Sequence, residues 1–114
     1  MNQADQELAQ VELSIEQANA NIERLKAFER LQDNKDFKKI ITDGYFKEEA
    51  SRLALLRADS NMQADKDQEQ MLKMIDSIGY LRQYFNMIYQ FGYMAESALE
   101  QHKMTREEIL SEAS

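Results

Sequence analysis

The chain has 114 residues, no cysteine, no proline, three glycines and a net charge of −7 at pH 7. Without cysteine, disulfides and thiolate metal sites are excluded, and a proline-free background rich in Gln, Glu, Ala, Leu and Lys is the composition of long helices with few breaks. Acids and bases are interspersed, 9 Lys/Arg against 12 Asp/Glu over residues 1–60 and 5 against 9 over residues 61–114, so no basic cluster favours direct nucleic-acid binding or adhesion to anionic lipid.

No run alternates in the manner of a strand, and the expected fold class is all-α: a helical bundle with long amphipathic helices and an N-terminal coiled-coil-like arm. The N-terminal ten residues, MNQADQELAQ, lack a basic stretch followed by an apolar one, the mark of a secretory signal. The first helix is predicted from about Ala4 to Leu31, with Leu8, Val11, Ile15, Ala18, Ile22 and Leu25 spaced three and four apart. That seam is narrow and the remaining positions are nearly all polar, the pattern of a helix with one partner and water elsewhere. The seam loses phase at Phe28 and Leu31, where its next position falls on Glu29. Residues 1–31 are therefore read as a coiled-coil-like helix and 32–114 as the helical bundle, within a single domain overall.

Asp33 or Asn34 offers an N-cap for a short helix carrying Phe37, Ile40 and Ile41. This helix either ends at Gly44 as a C′ residue or runs on through it with a kink. A helix over Tyr45 to Ala58 then buries Phe46, Ala50, Leu53 and Leu56, with Leu55 at the margin of that face. The segment Asp59 to Ala64 reads as a loop, and Asp65 with Gln68 three residues on resembles a capping box for the longest helix, about 66–101. A break is expected at His102-Lys103-Met104. Thr105 and Glu108 then form a second box, opening a last short helix that contacts through Ile109 and Leu110.

The long helix carries the most information. Met71, Met74, Ile78, Leu81, Phe85, Ile88, Gly92, Ala95 and Leu99 alternate as heptad positions a and d without a break. Ile75, Tyr84, Tyr89, Phe91 and Ala98 flank that seam, and Tyr80, Met87 and Met94 recur at position c, so only position f is uniformly polar. A helix apolar around most of its circumference is normally covered on several sides. Its most apolar window, Tyr84 to Ala95, is interrupted by Asn86 and Gln90 and falls well short of the ~20 residues that span a bilayer.

Catalysis finds little to work with. The one histidine, His102, sits in a polar context read as a helix end, where a cation is favoured. No Glu-x-x-His pair is present for a metal in a bundle core. The neighbours Glu48/Glu49 and Glu107/Glu108 point apart on a helix, and three isolated glycines form no phosphate cradle. No catalytic, cofactor-binding or metal residue is assigned, no cofactor is expected, and the chain is read as a non-enzyme. The interaction candidates are Leu8, Val11, Ile15, Ile22 and Leu25 on the first helix and Tyr80, Met87, Tyr93 and Met94 on the long one, since Tyr and Met suit apolar surfaces that also meet water. The same stripe on the long helix is equally readable as ordinary core.

The segments DNKDFKKIITDGYFKEEASRLALLRAD (Asp33–Asp59) and MIDSIGYLRQYFNMIYQFG (Met74–Gly92) resemble small helical proteins from the virion-structure region of tailed-bacteriophage genomes. The resemblance implies a virion or assembly component such as a scaffold, a head-tail junction protein or a minor capsid-associated protein, made in the host cytoplasm and then present in the virion. Its expected partners are further copies of itself, other virion proteins or a host protein, with neither direct nucleic-acid binding nor membrane insertion. The alternative is an acidic inhibitor that mimics nucleic acid in a host protein's basic groove, against which stand the Lys and Arg dispersed over residues 24–57.

Overall fold

The computed structural model describes residues 2–113. They form α1 (Gln3–Gln32), α2 (Lys35–Phe37), a π-helical segment (Lys38–Glu49), α3 (Ala50–Arg57), a 3-10 turn (Ser60–Met62) and α4 (Asp65–Ala113), with no strand among them. The fold is all-α, as composition and periodicity predict.

Two compact units arise, and they do not follow chain order. The first joins the chain up to Phe28 with the chain from Met87 onward, and the second is Glu29–Asn86. In the first unit the α1 seam is the inner face: Val11, Ile15, Ala18, Leu25 and Phe28 are buried, as are Ile88, Gly92 and Ala95 of α4. Phe28 meets Tyr89 edge-on at 5.1 Å, Leu25 lies against Gly92, and Val11 and Ser14 line a groove with Thr105 and Ile109. Rising numbers on one helix meet falling numbers on the other, so the pair is antiparallel. The N-terminal helix thus folds back on its own chain.

The second unit is a helical hairpin. Asn34 is the N-cap, its Oδ1 accepting from the Asp36 and Phe37 amides at 2.9 Å. Replacement of Asn34 by alanine orphans both donors and is expected to lower stability by about 1 kcal/mol in urea unfolding; an unchanged midpoint would mean that the helix is held by packing alone. From Lys35 to Arg57 the chain is helical without interruption, so Gly44 does not terminate it. The Gly44 backbone has no positive φ, and a Cβ there would stand 2.8 Å from the Lys39 carbonyl oxygen. That is the carbonyl five residues back which a π turn brings under residue 44.

Phe85 of α4 receives Phe37 at 6.0 Å and Phe46 at 5.7 Å, while Leu53 and Met71 are buried. Ile40 and Leu55 face solvent, because the seam lies on the Leu53 side and the wider π turn carries Ile40 off it. On the outer surface Arg52 hydrogen-bonds and ion-pairs with Glu49 one turn earlier, which holds the Glu49 carboxyl below its ordinary value.

The connection to α4 is fastened by side-chain amides. Gln68 does not close a capping box on Asp65; its Nε2 donates to the Arg57 and Met62 carbonyls at 2.9 and 2.7 Å, and its Oε1 accepts from Arg57 Nε at 3.2 Å. Gln63 Nε2 donates to the Arg57 and Asp59 carbonyls. The expected break after Gln101 is absent, for α4 runs unbroken to Ala113. Thr105 Oγ1 donates back to the Gln101 carbonyl at 2.9 Å instead of capping a new helix. Continuing the seam beyond Leu99 places His102, Arg106 and Ile109 on it, all half-buried; two polar residues on a seam read as an interruption in the sequence yet remain helical when the partner helix is α1. Leu110, expected inside, is exposed.

Candidate interaction face

The antiparallel pairing of α1 and α4 in the first unit divides its surface into two flanks of unlike chemistry. One flank of α1 carries Glu12, Glu16, Asn19 and Glu23 and borders a groove with Arg106. The other carries Ser14, Gln17 and Asn21, and borders a groove whose far side is Phe91, Met94, Ala98 and His102, floored by Ala18 and Ala95. No formally charged side chain lines this second groove when His102 is neutral, in a chain of which 31% of residues are charged. Ser14 turns its hydroxyl into its own helix, donating to the Gln10 carbonyl at 3.1 Å. The groove is therefore uncharged and apolar on the α4 side, with amides on the α1 side.

Met94 is 61% exposed, and Met87 and Phe91 are 45% and 44% exposed. Along the sequence Met87, Phe91, Met94 and Ala98 are spaced four, three and four apart, the heptad spacing of a second seam beside the first.

The nine candidates separate. Val11, Ile15 and Leu25 are buried and Leu8 and Ile22 half-buried on the inner face of α1, committed to their own α4. Met87 and Met94 stand on the uncharged flank. Tyr93 is on the opposite flank of the seam, stacked on Tyr89 with ring planes 9° apart and centroids 6.1 Å apart, so it joins the ring contact of Tyr89 with Phe28 and not the methionines. Tyr80, 66% exposed, belongs to the second unit. The groove also draws in Ser14, Gln17, Asn21 and His102, which were not among the candidates. A signal for the first three was present: with Leu8 as position a, positions g and c from Gln10 to Asn21 hold no charge, whereas e and b hold Glu12 and Glu16.

Among the described residues no group of three or more His, Cys, Asp or Glu side chains is placed to hold a metal ion. No helix among them is long and apolar enough to cross a membrane. No family model, curated protein or solved structure matches the chain.

Proposed function

We propose that this protein is a non-enzymatic helical assembly protein that self-associates through exposed apolar helix faces, in a virion-building role of the kind its resemblance to small tailed-phage proteins implies. The observation that carries the reading is the balance of its apolar side chains. Among the described residues ten apolar side chains are buried, two of them alanines, while fourteen large ones are exposed. Each unit is one antiparallel pair of helical segments, which can cover one side of each segment and no more. An assembled state covers the rest.

The test is the mass in solution across a dilution series, by light scattering after size exclusion. A defined oligomer is expected. Met87→Asp and Met94→Asp, on the exposed flank, are expected to shift it to the monomer with the helical circular dichroism retained, because they place an unpaired charge in an apolar contact without touching the inner seam. A monomer at every concentration, or an oligomer indifferent to both substitutions, would overturn the reading of this face.

A further inference from the structure

We infer that the uncharged flank of the first unit is the seat of a second copy of this chain, docked isologously so that the Met87–Phe91–Met94 row of each copy lies in the α1/α4 groove of the other. The inference rests on the assembly reading above and adds its occupant and symmetry.

Charge selects the occupant. A chain of net charge −7 repels itself, and a two-fold contact sets each surface patch against its own copy, so any carboxylate near the axis meets a carboxylate. The groove edged by Glu12, Glu16 and Glu23 is excluded from that role, and the one at the open end of the pair carries Glu7, Glu108 and Glu112. The groove of Gln17, Asn21, Phe91 and Met94 is lined by no carboxylate, and His102 at its edge is its one ionisable side chain. Its amides also suit a self-contact, since a Gln or Asn side chain both donates and accepts and pairs with its own copy. The alanines Ala18, Ala95 and Ala98 keep the floor low enough for a neighbouring side chain to enter between the helices.

Two α1/α4 pairs, docked flank to flank, make a bundle of four helical segments in which both seams of α4 are filled.

The absence of cysteine makes the test direct, because any introduced thiol is the only one. Met94→Cys lies near the expected axis and Tyr93→Cys on the far flank. Treated with a short bismaleimide at a concentration where the native mass is that of the oligomer, Met94→Cys is expected to give a covalent dimer in high yield and Tyr93→Cys little. A second variant, Gln17→Glu, sets carboxylate against carboxylate across the axis at an exposed position that bears no load in the fold. It is expected to raise the dimer dissociation constant roughly tenfold or more, with helicity unchanged. An oligomer in which Tyr93→Cys crosslinks as well as Met94→Cys, or which ignores Gln17→Glu, overturns this seat while leaving the assembly reading in place. A native chain that is monomeric throughout overturns both.

Discussion

Alanine at Gly92 is expected to destabilise the first unit by about 1–3 kcal/mol, less a helix-propensity gain of up to about 1 kcal/mol. A Cβ at Gly92 would come to 2.5 Å from Leu25 Cβ and 2.7 Å from its Cδ2. Leu25 is fully buried, and its Cβ cannot swing away as a side-chain tip would, so α1 itself has to move. Leu25→Ala alone removes the most deeply buried side chain of the unit and is expected to cost about 2–5 kcal/mol, through lost transfer energy and the void it leaves. The two changes belong to one contact. In Leu25→Ala/Gly92→Ala the contacts of the new methyl with Leu25 Cγ and Cδ2 are gone while its approach to the Cβ of residue 25 remains, and α1 can shift into the vacated space, so the double variant should be more stable than the sum of the singles implies, by about 1 kcal/mol. Urea unfolding of the four proteins measures this coupling, and additive effects would mean that the helices are not in contact there. Gly79 is the internal control: nothing lies within 4 Å of a Cβ at that site, and alanine there should stabilise by up to about 1 kcal/mol.

Phe85→Ala is expected to cost the second unit about 3 kcal/mol, the lower end of the range for deleting a core phenylalanine, because this ring is half-buried. Phe85 touches the ring just before the π segment, Phe37, and one within it, Phe46. Edge-to-face geometry adds to the area buried, as between Phe46 and Phe85 at 75°. The loss should be local: amide exchange over residues 35–57 should quicken more than over α1. If α1 amides quickened equally, the two units would be unfolding as one.

The helices, the α1 seam and a cap at Asp33 or Asn34, of which the structure uses Asn34, were legible in the sequence because each rests on a local rule, a spacing or a side-chain oxygen beside free amides. What escaped depended on partners. The passage of α4 through His102 and Thr105 was hidden because polar residues on a seam look like an ending until α1 is placed beside them. The π segment was hidden because a 3.6-residue template cannot register a wider turn, and Ile40, an apolar residue of the expected short helix, and Leu55, expected at the margin of the buried face, both lie outside. The Met87 and Met94 stripe was visible, but the ring contact of Tyr89 with Phe28, some sixty residues away, and the stacking of Tyr93 on Tyr89 were not.

That separation in sequence also sets an order of events. The hairpin of the second unit closes over short spans, Arg57 to Gln68 being eleven residues apart, and local contacts of this kind form early. The inner seam of α1 has no partner of its own until Met87 and the residues after it have been synthesised, a wait of roughly 3–12 s at about 5–20 residues per second. Throughout that interval the exposed Val11–Leu25 face is open to the same face on a sibling chain emerging nearby, so neighbouring ribosomes on one message compete with the chain's own C-terminal segment for α1.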